Sequence, residues 1–158
     1  MSKNQPSKKR SKKVLAISSS GGHWVQLLRV IPAFKGRCIV YVSVNRHYGA
    51  EVKNSRFYTV VDVTRWNKAK WFIAASQLIW ILLREQPDVV ISTGALPGFI
   101  GIVLAKMMRK RTIWIDSIAN VEEMSMSGQR IRKYVDLWLT QWPHLSEEKG
   151  PEYAGQVL

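Results

Sequence analysis

The chain has 158 residues, 46% of them hydrophobic and 10% aromatic, enough for one domain with a real core and hardly for two, which excludes a disordered chain. Its 24 Lys+Arg against 11 Asp+Glu give a formal charge of +13, so its surface attracts polyanions: nucleic acid, anionic lipid head groups or phosphorylated small molecules. The single cysteine, Cys38, excludes an internal disulfide, no Cys/His cluster has metal-ligand spacing, and neither a metal nor a cofactor is expected.

Residues 1–13 read as a flexible basic arm carrying Lys3, Lys8, Lys9, Arg10, Lys12 and Lys13 and no acid. Nothing there can be buried to offset the entropy of ordering. The 24 cations less these six leave 18 against 11 acids, so the body, residues 14–158, is basic by itself. No apolar run behind the arm is long enough for a signal peptide, and Val14 to Ile17 is only strand length.

VLAIS (14–18) predicts a first strand, followed by the turn-rich SSSGG (18–22). Trp24, Leu27, Leu28 and Ile31 then recur at the spacing of one helix face, with Pro32 as the stop. CIVYVSV (38–44) and RFYTVVDV (56–63) predict the second and third strands. Lys68 to Glu85 predicts a long helix, apolar on more than one side and ended by Pro87. Its apolar stretch, Trp71 to Leu83, is too short to span a bilayer. DVVIST (88–93) predicts a fourth strand, entering the loop TGALPG and a helix over 99–108; RTIWID (111–116) and DLWLTQ (136–141) predict the fifth and sixth. Strands that are continuous Val/Ile runs, alternating with helices, predict an α/β, Rossmann-like, mostly parallel doubly wound sheet.

Ligands of such sheets bind beyond the carboxyl ends of the strands. Two loops there have a suitable composition. The first, Ser18-Ser19-Ser20-Gly21-Gly22-His23, offers backbone N–H groups and a helix N-terminus to a phosphate, or is a tight turn with a serine cap. It matches neither the dinucleotide fingerprint nor a P-loop. His23 is a candidate general base, since an imidazole titrates near neutrality, or is simply structural. The second, Thr93-Gly94-Ala95-Leu96-Pro97-Gly98, suits a pyrophosphate or a sugar, or is a βα turn shaped by Pro and Gly. The apolar helix 68–85 and its tryptophans fit either a core or a membrane-facing patch rimmed by Lys68, Lys70, Arg84, Lys106, Arg109, Lys110 and Arg111.

VLAISSSGGHWVQLLRV, DVVISTGALPGFIGIVLAK, TIWIDSIANVEEMSMSGQRIRKYVDLWLTQWPHL and the closing EYAGQVL resemble, in order, the Alg-fourteen-like oligosaccharide-biosynthesis family. That family includes bacterial exopolysaccharide and capsule proteins of the PssD type and resembles the N-terminal half of MurG-type GT-B glycosyltransferases. The resemblance implies a membrane-associated, acceptor-binding subunit of a two-component inverting glycosyltransferase. The sugar would pass from a nucleotide (UDP-type) donor to a polyprenyl-pyrophosphate saccharide, with no metal. It implies a donor-binding partner like the C-terminal half of MurG, inactivity without it, and a cytoplasmic, peripheral place on an anionic membrane surface. By position, Ser20, Gly21, Gly22, Thr93, Gly94, Ala95 and Pro97 would line the acceptor cleft, with His23 as candidate base. Asp116, Ser117, Gln141, Trp142 and Pro143 would support the site or the subunit interface. Asp116 stands where the family's I-E-S motif carries glutamate, and Asn120 where a basic residue is common. The competing readings are a scaffold for a complete partner enzyme and a nucleic-acid-binding protein; no helix-turn-helix, zinc or RNP pattern supports the latter.

Overall fold

β1 (Lys13–Ile17) is apolar at every position after Lys13, and all four of those residues are buried. Only a central strand covered on both faces buries such a run. It pairs in parallel with β2 (Cys38–Ser43) on one side and β4 (Val89–Ser92) on the other, Leu15 lying opposite Val40 and Val90. β3 (Arg56–Thr59) adds beyond β2, while β5 (Arg111–Ile115), β6 (Leu137–Thr140) and β7 (Glu152–Tyr153) extend the sheet past β4. The structure, a computed structural model, describes residues 11–64 and 66–157. Its sheet has the order β3-β2-β1-β4-β5-β6-β7 with every pairing parallel, so the expected doubly wound sheet is wholly parallel. Of the expected basic arm, residues 1–10 lie outside the described residues, and Lys13 already belongs to β1.

Side chains alternate across a strand, so β1 feeds two cores. Val14 and Ala16, with Tyr41 and Ile91, pack under Trp24 and Leu27 of α1 (Gly22–Val30). Leu15 and Ile17, with Val40 and Val90, pack under Ala74, Leu78 and Leu82 of α2 (Lys68–Glu85) and Ile102 and Ala105 of α3 (Ala95–Met107). Asn67 caps α2 by accepting from the Lys70 N–H, and Gln86 ends it in the left-handed region (φ 44°) ahead of Pro87.

Several boundaries differ from the sequence reading. α3 begins at Ala95 rather than 99, so the expected six-residue loop shrinks to Thr93-Gly94 and Pro97 sits in the first helical turn. A proline is tolerated there because those first N–H groups have no intrahelical acceptor. β3 stops at Thr59, four residues short of the expected end; Val60 still donates to the Ser43 carbonyl, after which the chain leaves the sheet. α1 ends at Val30 and the chain tightens into a 3₁₀ turn at Ile31–Phe34, with Pro32 in its first turn. The short helix α4 (Met126–Ile131) was not anticipated.

The long helix α2 is two-sided. Ala74, Leu78, Ile81 and Leu82 are buried, while Phe72, Ile73, Ile79, Trp80 and Leu83 form a second stripe left exposed. Phe72 is 78% exposed and Leu83 55%. Among the described residues no helix is long and apolar enough to cross a membrane.

The amino ends of the strands carry the strongest charge cluster. Glu85, buried at the end of α2, accepts from Lys13 Nζ (2.9 Å), Arg56 Nη1 (3.1 Å) and Tyr58 Oη (2.6 Å). Burial pushes its carboxyl up, but the hydrogen bonds from Tyr58, Lys13 and Arg56 outweigh that and hold it at about 2. This cluster joins β1, β3 and α2 at the edge of the sheet opposite the two glycine-bearing segments.

Candidate functional site

The strand order reverses between β1 and β4, and both glycine-bearing segments leave the carboxyl ends of those two strands. This is the crevice where open α/β sheets take ligands. The segments are locked together by reciprocal bonds. The His23 Nδ1 lies 2.8 Å from the Thr93 carbonyl oxygen, and the Thr93 hydroxyl donates to the His23 carbonyl at 2.7 Å. A carbonyl only accepts, so Nδ1 carries the hydrogen, and in the neutral ring Nε2 keeps its lone pair.

Gly94 makes that ring position possible. Its φ is +126°, and a Cβ there would lie 2.6 Å from His23 Cε1 and 2.8 Å from Nδ1. Ala95 follows at φ +63°, a left-handed conformation that is costly for any residue with a side chain. Strain of this kind persists where surrounding contacts over-determine it, and it clusters at ligand sites. On the other segment, Gly21 (φ +67°) donates its N–H to the Tyr48 hydroxyl at 2.9 Å, while its carbonyl accepts from Trp24 and Val25 to start α1.

Ser20, Gly21 and Gly22 are exposed at the mouth, His23 is half-buried, and Thr93, Gly94 and Pro97 are buried behind it. The structure therefore brings His23, Thr93 and Gly94 into one cluster with Ser20 to Gly22 at its entrance. Ala95 and Pro97 belong to the first turn of α3 instead of a loop.

The second group of expected residues forms a buried polar network beside α1. Asp116 accepts four hydrogen bonds: Trp114 Nε1 (3.2 Å), Asn120 Nδ2 (3.1 Å), Ser125 N (2.7 Å) and Ser125 Oγ (2.5 Å). Ser125 in turn caps α4 by accepting from the Gly128 N–H. The shorter aspartate thus fits its place by folding the segment after β5 around itself, and Asn120 is one of its donors. Gln141 Nε2 donates to Gln26 Oε1 (2.7 Å) and to the Asp116 carbonyl (2.9 Å), and Gln26 Nε2 donates to Ser117 Oγ (3.1 Å). Trp142 Nε1 donates to the Ile118 carbonyl at 2.9 Å, and Pro143 opens an exposed 3₁₀ turn. These residues position α1 and the 116–125 segment. Gln26 escaped the sequence reading; the only signal was a polar residue between Trp24 and Leu27 on a face that must be buried.

A groove of about 830 Å³ opens between α2, α3 and α4, walled by Trp71, Phe72, Leu96, Phe99 and Met126. Lys68 and Arg130 supply its charge. Leu96 stands two residues from Gly94, so the groove begins beside the His23 cluster. Of the cations expected to rim an apolar face, Lys68 and Lys70 lie at this end of α2. Arg84 stacks on Trp80 at the other end (5.2 Å). Lys106 pairs with Asp136, and Arg109 to Arg111 lie at the amino end of β5, away from the crevice.

Residues 50–157 match the family described as "Oligosaccharide biosynthesis protein Alg14 like". The match includes Thr93 to Pro97, Asp116 and Gln141 to Pro143 but not the His23 loop. The chain is similar to the UDP-N-acetylglucosamine transferase subunit alg14 of Schizosaccharomyces pombe, 27% identical over 98% of this chain and 88% of that protein. It is similar also to the human subunit of that name, 24% identical over 95% and 85%. Among solved structures it resembles Acinetobacter baumannii MurG, with a TM-score of 0.73 at 14% identity, over 90% of this chain and 45% of that one. That likeness is one of fold, to the N-terminal half of a GT-B enzyme; the chain spans less than half of MurG. The chain belongs to the Alg14-like oligosaccharide biosynthesis family.

Proposed function

We propose that this chain is the acceptor-binding subunit of a two-component inverting glycosyltransferase that acts on a lipid-linked saccharide in cell-surface polysaccharide synthesis. The observation that carries the proposal is His23, fixed through Nδ1 by Thr93 at the switch point with Nε2 left to accept a proton. In this reading Nε2 takes the proton of an acceptor hydroxyl as its oxygen attacks the anomeric carbon of the donor sugar. The nucleoside diphosphate leaves from the opposite face with inversion, and the acceptor is held for attack in the crevice. The N–H groups around Gly21 and Gly22, at the N-terminus of α1, suit the acceptor's pyrophosphate.

The donor, a UDP-sugar, is assigned to a partner resembling the C-terminal half of MurG. Two observations support this: the relatives are transferase subunits by name, and the chain spans 45% of MurG. The exposed stripe of α2 and the adjoining groove, with Lys68, Lys70 and Arg130 beside them, favour a peripheral place on an anionic membrane face, where the polyprenyl chain would lie. Co-expression with a donor-binding subunit tests the division of labour. Transfer from UDP-sugar to a polyprenyl-pyrophosphate saccharide is expected from the pair and only background from either chain alone. Full transfer by this chain alone would overturn the proposal.

A further inference from the structure

A second hollow of about 450 Å³ lies over the carboxyl ends of β2 and β3, lined by Ser20, Asn45, Arg46, His47, Thr59 and Asp62. It shares Ser20 with the glycine loop. Its outer wall also adjoins the apolar groove, because Asp62 lines the hollow and the next residue, Val63, lines the groove. An amphiphile bound at the crevice would therefore find apolar and polar subsites side by side. The volume falls in the range of small-molecule sites.

The wall is rigid. Tyr48 stacks on Trp24 with centroids 4.7 Å apart and planes 3° from parallel, and its hydroxyl accepts the Gly21 N–H. Trp24 Nε1 donates to Glu51 at 2.9 Å, and Asn45 Oδ1 accepts the His47 N–H at 3.1 Å. The 45–51 segment and the glycine loop thus form one body.

The lining argues for the class of ligand. A phosphate site is built from cations or converging N–H groups. Among the described residues the hollow is lined by one guanidinium, Arg46, and one carboxylate, Asp62, and neither is in an ion pair. The rest of the lining is hydroxyl, amide and imidazole with one apolar side chain, Val44, against which the carbon face of a sugar ring can rest. Asp62 repels an anion and accepts from hydroxyls, while Arg46 donates to them. We infer that this hollow is the saccharide subsite of the acceptor, holding a neutral sugar ring whose neighbouring hydroxyls bridge Asp62 and Arg46. That the sugar belongs to an acceptor rests on the function proposed above; that the hollow takes a sugar does not.

Amide NMR of the full chain, titrated with methyl glycosides of neutral hexoses and N-acetylhexosamines and separately with inorganic pyrophosphate, tests this. At least one glycoside should shift the amides of Ser20, Asn45, His47 and Thr59. Arg46→Ala and Asp62→Asn should each weaken that binding about fivefold or more, with the rest of the spectrum unchanged as the control for folding. If no glycoside moves these amides, or if both variants titrate like the wild type, the subsite does not exist. Pyrophosphate should shift Gly21, Gly22 and Gly94 instead. Glycoside binding in the hollow with no pyrophosphate response anywhere would uphold the sugar site and remove the reading of the loop as an acceptor phosphate site.

Discussion

A histidine bonded at Nδ1 to a carbonyl keeps one tautomer, and a glycine packed against its ring keeps one orientation. His23 and Gly94 together meet both conditions. Gly94→Ala would drive a methyl into the imidazole and force a left-handed backbone on alanine, costing about 1–3 kcal/mol of stability. Denaturant unfolding should show this loss, and transfer by the partnered enzyme should fall further than stability explains, because the ring must rotate away. The sequence made both residues visible as candidates, since glycine and histidine beside strand ends are conspicuous. It could not show that they touch, because 70 residues separate His23 from Thr93 and only the β1–β4 pairing brings them together. Asp116 was legible only as a shorter carboxylate expected to support the site or the subunit interface. Three of its four donor groups belong to Asn120 and Ser125, in a segment whose local fold no periodicity announces.

At the scale of elements, α2 performs two tasks with its two stripes. Its inward stripe covers the sheet, and its outward stripe is left bare from Phe72 to Leu83. Hydrophobicity on several sides was plain in the sequence, but periodicity does not say which stripe the sheet takes. Phe72→Ser and Leu83→Ser, at exposed positions of the stripe, should each reduce co-sedimentation with anionic vesicles about tenfold, as the loss of one large buried side chain implies, without altering unfolding. Unchanged sedimentation would remove the membrane role from this face. The end of α2 anchors the opposite edge. Glu85 has its carboxyl lowered from 4.5 to about 2, so its contribution is complete above pH 4.5 and is lost as pH falls from there through 2. Glu85→Gln should cost about 2 kcal/mol at neutral pH and flatten the stability profile between pH 4.5 and 2, measured by denaturant unfolding across that range. Nothing in the sequence separated Glu85 from an ordinary helix-end glutamate, since its partners come from β1 and β3.

The whole molecule divides by the direction of its strands. Their amino ends carry the ion-paired anchor, and their carboxyl ends carry the His23 cluster, the polar hollow and the mouth of the apolar groove. Parallel strands and alternating helices made this polarity readable in advance, and with it the crevice. The polar network through Gln26 and Gln141 was not readable, because it depends on α1 meeting β6 across the sheet. Membership of the Alg14-like family and a fold like that of MurG are the likenesses behind the proposal that the chain offers one side of a cleft. The most direct test of that account is transfer kinetics of the pair formed by a donor-binding subunit and His23→Ala. The account predicts that kcat falls about 10²–10⁴-fold while the KM for the UDP-sugar, bound on the other chain, stays unchanged. Wild-type kcat from His23→Ala would contradict it.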